Sequence, residues 1–157
     1  MARKSIDDWL NEYGESHQNP TNKQLHWICV PLITACVLAL FGEIPLPSLI
    51  RRFPFVNGST LLVAVSLVFY LRLSFPLALG MFFFSGSLLV GIAAIEKWSE
   101  LPIWQVALIV FAIAWVGQFI GHSIEGKKPS FFKDIQFLLI GPVWLLAFIY
   151  RRLGIRY

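Results

Sequence analysis

The stretch IWQVALIVFAIAWVGQFIGHSIEGKKP, residues 103–129, decides the fold class. From Ile103 to Ile124 it carries no charged side chain. As a helix rising about 1.5 Å per residue it would reach about 33 Å, and the hydrocarbon core of a bilayer is about 30 Å thick. Gly126 then offers a left-handed cap and Pro129 forbids continuation. Working outward, apolar segments recur near 25–41, 55–71, 77–95 and 131–150. Pro45, Pro47 and Pro54 with Arg51 and Arg52 mark one connection, Arg72 and Pro76 another, and Glu96–Pro102 a third. The last segment is interrupted by Lys133, Asp134, Gln136 and Gly141-Pro142, so it either spans with a kink or lies partly in the interface.

Composition agrees. The chain has 157 residues, 57% hydrophobic and 14% charged. A soluble domain is roughly half apolar and about a quarter charged, and a globule this small cannot hide so much apolar surface. A typical soluble enzyme, a disordered chain and a disulfide scaffold are excluded. The expectation is an all-α polytopic transmembrane helical bundle, one domain over 1–157, with four to five spans. Residues 1–24 form an interfacial arm.

In that arm Ser5-Ile6-Asp7-Asp8 reads as a capping box, followed by Ile6, Trp9, Leu10 and Tyr13 on one face of a helix over 5–16. That face suits either the membrane interface or packing on the spans. Asn19-Pro20 breaks the chain, and Thr21 with Gln24 predicts a second capping box before the first span. No cleavable leader is expected, since the first apolar run begins at Leu25. The 13 Lys and Arg are scattered through the connections without a basic stripe, which argues against nucleic acid and for headgroup anchoring. With five spans, Arg3, Lys4, Lys23, Arg72, Lys127, Lys128 and Lys133 fall on one side, and Arg51, Arg52, Lys97, Arg151, Arg152 and Arg156 on the other. That near balance assigns no orientation. Cys29 and Cys36, seven positions apart on one helix, would sit about 10 Å apart and read as small packing residues rather than a disulfide.

The chain has three histidines, His17, His26 and His122. Four spans separate the first two from the third, and an even number of crossings returns the chain to the side it left. His26, counted from a cap at Thr21, lies about 7 Å down its helix, and His122 lies about 6 Å from the Gly126 end. Trp115, Gln118, His122 and Glu125 form one stripe, and Asn22 lies one turn before His26. Polar groups inside a bilayer face a cavity or one another. Histidine with Glu, Gln and Asn nearby is the composition of a metal site with its supporting hydrogen bonds. Separate interfacial histidines, and a solvated Glu125 beside Lys127 and Lys128, remain the alternatives. Gly117 and Gly121 match a helix-packing pattern.

Two motifs are more specific: His17-Gln18-Asn19-Pro20-Thr21-Asn22 with His26, and Gln118-Phe119-Ile120-Gly121-His122 with Glu125 and Pro129. On them the chain resembles the small multi-spanning membrane family typified by the fungal 2-hydroxy fatty acid dioxygenase of phytosphingosine breakdown. The resemblance runs from Tyr13 to the region of Pro142. One departure is Cys29, where the family tends to carry Gly. The resemblance implies an iron(II)-dependent dioxygenase of fatty acid alpha-oxidation, with His17, His26 and His122 as metal ligands and catalytic residues. Substrate plus O2 gives the acid one carbon shorter, CO2 and water, the 2-hydroxy acid supplying all four electrons. Three imidazoles fill three of six positions on octahedral iron and leave three for the reactants. A fourth protein ligand would remove one, so Glu125, Gln118 and Asn22 are expected around the ligands. Lys23, Lys127 and Lys128 flank the same side and are candidates for the substrate carboxylate, with headgroup anchoring as the alternative. The implied partners are a 2-hydroxy fatty acid, O2 and the bilayer, in a bacterial inner membrane or the endoplasmic reticulum, with oligomeric state open. A zinc-dependent lipid hydrolase and a non-catalytic scaffold or lipid-binding protein are the other readings.

Overall fold

A computed structural model describes residues 4–53, 55–129 and 136–157. Arg3, Pro54, and Lys133 and Asp134 of the last apolar segment lie outside the described residues. Six α-helices follow in order: α1 Ile6–Gly14, α2 Pro20–Gly42, α3 Gly58–Leu71, α4 Phe75–Trp98, α5 Ile103–Glu125 and α6 Phe137–Arg152. A 3-10 turn, Ile50–Arg52, interrupts the connection before α3. No strand occurs among the described residues.

Helices α2, α4 and α5, of 23, 24 and 23 residues, are long and apolar enough to cross a membrane. Their outward faces carry Phe83, Val90, Ile113 and Val116, all more than half exposed, as lipid-facing positions should be. Helix α3 has 14 residues, about 21 Å, shorter than a full hydrocarbon core.

The helices alternate in direction. Ser59 of α3 donates to Leu38 O at 2.7 Å, so α3 begins against the far end of α2 and returns. Ile92 of α4 meets Cys36 and Ala39 of α2 and Ile103 and Ala107 of α5 in one cluster at that far end. The ends of α2, α3, α4 and α5 therefore sort as the parity argument requires, with His26 and His122 at the same end.

Helices α2 and α5 form the most extensive pair. A Cβ on Gly117 would stand 2.8 Å from Cys29 Sγ, and one on Gly121 would collide with Asn22 Oδ1. Only glycine at these two positions lets the backbones come this close. Cys29 and Cys36 are free and buried.

Three local expectations change. Asn19, not Thr21, caps α2: its side chain accepts from Thr21 N and Pro20 takes the first helical position. Proline there has no N–H to leave unsatisfied, so this start is the better one. His26 is then about 10 Å from its cap rather than 7 Å. The arm helix ends at Gly14, and its apolar face is docked on protein: Trp9, Leu10 and Tyr13 are buried, against Phe137 and Trp144 of α6. The Ser5–Asp8 capping box is present. Helix α6, 16 residues or about 24 Å, reaches Trp27 and the Val30 side chain near the start of α2, Tyr70 at the end of α3, and Pro76 and Gly80 at the start of α4. All of these lie at the histidine end, which α1 and α6 together cover.

Candidate metal centre

The turn after α1 places His17. Its backbone N–H donates to Gly14 O at 3.0 Å, and its ring stacks on Tyr13 at 4.2 Å. Nδ1 of His17 meets Tyr13 O at 2.6 Å, and Nδ1 of His26 meets Asn22 O at 3.0 Å. A carbonyl only accepts, so each Nδ1 carries the hydrogen and each Nε2 keeps its lone pair. Those two Nε2 atoms face each other at 2.7 Å. The His122 ring lies 5.0 Å from that of His17 and 5.1 Å from that of His26. One ligand nitrogen from each ring falls within 4.8 Å of the others.

The three are 1%, 1% and 4% exposed. Nδ1 of His122 is buried without a hydrogen-bond partner among the described residues. Burial pushes His17 down to about 4, so its ring is neutral at pH 7. The two facing lone pairs repel as they stand, and a shared cation would remove the conflict. The donor set, three neutral imidazoles, fits a first-row divalent metal.

Glu125 closes the site from outside. Oε1 accepts from Gln18 N at 2.8 Å, and Oε2 from Asn19 N at 2.8 Å and Asn22 Nδ2 at 3.1 Å. The solvated carboxylate beside the lysines is thus not what forms. Both oxygens hold the turn between His17 and α2. Asn22, fully buried, also donates to Ser16 O at 3.1 Å, tying the start of α2 to the same turn.

A family model described as 2-hydroxy-palmitic acid dioxygenase Mpo1-like matches residues 3–153. The chain belongs to the Mpo1-like family. It is similar to the 2-hydroxy-palmitic acid dioxygenase MPO1 of Saccharomyces cerevisiae, at 28% identity over 149 residues, covering 92% of this chain and 79% of the yeast protein. No solved structure matches.

In this Mpo1-like chain the structure gathers His17, His26, His122, Asn22 and Glu125 at one place. Gln118 is only 5% exposed; among the described residues its Nε2 is buried without a hydrogen-bond partner, and the side chain lines a cleft that it shares with His122. The lysines do not converge. Lys127 is exposed and donates to Glu15 O at 2.7 Å, Lys128 is exposed, and Lys23 is half-buried in the first turns of α2. Sequence reading missed Tyr13 as a partner of His17 and Trp144, whose ring lies 5.5 Å from His17. Tyr13 precedes His17 by four residues, a helical spacing that signals the contact. No local signal points to Trp144.

Proposed function

We propose that the protein is an iron(II)-dependent dioxygenase that converts 2-hydroxy fatty acids to fatty acids one carbon shorter at the edge of a membrane. His17, His26 and His122 hold the metal and act as the catalytic centre. The observation that carries the reading is the trio of buried, neutral imidazoles with nitrogens within 4.8 Å, in a chain of the Mpo1-like family. Bound iron(II) supplies the redox chemistry by which O2 is reduced. The chain's own groups do the rest. The carbonyls of Tyr13 and Asn22 fix the ring tautomers, so that both Nε2 lone pairs point inward. Glu125 and Asn22 hold the His17 turn onto α2. Helices α1 and α6 shield the centre from water. Lys23, Lys127 and Lys128, on the same side, attract the anionic acid toward it. The three long apolar helices support an integral membrane location, in which an acyl chain lies among the helices while its carboxylate reaches the interface.

The test is metal analysis of anaerobically purified protein beside His122→Ala, followed by oxygen uptake with a 2-hydroxy fatty acid. About one iron per chain, lost in the variant, with uptake matched by CO2 release, is the expected result. Zinc with no oxygen uptake would turn the reading to hydrolysis, and a chain that binds neither metal would turn it to a scaffold.

A further inference from the structure

A cleft that has His122 in its wall runs between α2, α5 and α6. At its upper end stand His122, Gln118 and Tyr13. Below them its walls are Val30 and Ile33 of α2, Trp115 of α5, and Phe137, Leu138 and Pro142 of α6. The Thr34 hydroxyl deep in it already donates to Val30 O at 2.8 Å, which leaves the lower wall apolar but for the Trp115 indole N–H. Seven residues of α5 separate His122 from Trp115, a descent of about 10 Å. Leu138, 46% exposed, lies where the cleft opens outward. The cleft encloses about 60 Å³, several times the roughly 10–15 Å³ that one water needs.

We propose that this cleft seats the proximal part of the substrate's acyl chain, and that the side-chain amide of Gln118 donates to its carboxylate. The proposal rests on the function argued above and adds a recognition residue and an entry path to it. Three observations converge. The cleft reaches His122, one of the three clustered histidines. Its walls are largely apolar. Among the described residues Gln118 Nε2 is a buried donor without a hydrogen-bond partner, beside His122, where the head of an anionic lipid must lie for its second carbon to reach the histidines. A buried amide without a partner is costly, and a ligand acceptor removes that cost. The small volume takes only the first part of a long tail, and the remainder lies outside against the apolar helix faces. Entry is sideways from the bilayer, past Leu138.

The test is equilibrium binding to full-length protein in lipid nanodiscs, read by quenching of tryptophan fluorescence. The probes are 2-hydroxy fatty acids brominated near the carboxyl end or near the methyl end. The carboxyl-end probe is expected to quench strongly, with most of that quenching lost in Trp115→Phe, and the methyl-end probe to leave Trp115 untouched. Gln118→Leu is expected to raise the dissociation constant by about ten- to a hundredfold, the loss of a hydrogen bond to a charged acceptor, with saturating quench unchanged. Gln118→Met, which keeps the length of the side chain, serves if the leucine variant does not fold. Wild-type affinity in either variant, or quenching of Trp115 by the methyl-end probe alone, would overturn the assignment. Binding with this pattern but without oxygen uptake would sink the dioxygenase and leave the cleft standing. Oxygen uptake with an unchanged KM in the Gln118 variants would do the reverse.

Discussion

Replacing Glu125 with Gln changes one oxygen for an NH2 group and leaves the volume alone. The carboxylate receives three donors, Gln18 N–H, Asn19 N–H and the Asn22 amide. Glutamine has one oxygen. Turned toward Asn19 and Asn22 it presents NH2 to Gln18 N–H, and turned the other way it presents NH2 to two donors. At least one charge-assisted bond is lost, worth about 1.5–3 kcal/mol, and half-burial of Glu125 favours the lower part of that range. About 2 kcal/mol is the working figure. That energy holds the His17 turn in its binding-competent form, so the apparent metal affinity should fall by up to about thirtyfold. The assay is competition with a chelator of known affinity in wild type and Glu125→Gln, with helix content followed by circular dichroism. The expected outcome is weaker metal binding, unchanged helix content, and no further loss when Glu125→Gln is added to His17→Ala. Undiminished metal affinity in the single variant would refute the reasoning. A loss that persists undiminished in the His17→Ala background would show Glu125 acting on the metal directly rather than through the turn.

Other outcomes follow from named contacts. His17 stays neutral down to about pH 4 in the folded protein, against about 6.5 when unfolded. The unfolded state therefore takes up a proton that the folded state refuses, and metal-free protein should lose stability as pH falls from 6.5 toward 4, by up to about 3 kcal/mol, then level off. Thermal melts across that range check it, with His17→Gln showing a shallower slope. Gly117→Ala should destabilise the α2–α5 pair by about 1–3 kcal/mol through overpacking against Cys29 Sγ, and Cys29→Ala in the same chain should recover most of that loss in denaturation midpoint. Tyr70→Phe removes the hydroxyl bond to Leu139 O at 2.8 Å; it should cost about 1 kcal/mol of stability and leave metal content untouched.

Much of this arrangement is legible in one sequence because its cause is local. Residues 103–124 must be a long helix, since a bilayer leaves no other partner for their backbone. The even number of apolar segments then sets the side on which His122 falls. Gly117 and Gly121 announce a close helix contact without naming Cys29 and Asn22 as what they meet. The cap at Asn19 was within reach, since proline at the next position is the stronger signal. The role of Glu125 was not. Its donors lie more than a hundred residues away in the chain, and no periodicity encodes such a pairing. Helix α6 misleads for a related reason. Its apolar composition fits lipid and fits protein equally, and its contacts, to Trp9 and Tyr13 of α1 and to the first turns of α2 and α4, decide between them. Gln118 shares the stripe of His122, and one turn further from the helix end it lines the cleft together with that histidine.

The same geometry favours a metal centre over mere helix glue. Polar side chains between apolar helices stabilise a bundle when each donor finds an acceptor. The cluster around Glu125 does so: two backbone N–H groups and one amide meet two oxygens. The cluster around His26 does not. His17 and His26 each turn a donor outward to a carbonyl and a lone pair inward to another lone pair. His122 adds a buried nitrogen with no hydrogen-bond partner among the described residues. As glue, this inner cluster would loosen the junction of turn, α2 and α5 that the outer cluster tightens. A cation at the centre would reverse its sign and make the two clusters act together, because the turn that Glu125 holds is the turn that carries His17. Chelation should therefore lower the melting temperature of the wild type, and lower it least in variants that have lost one of the three rings.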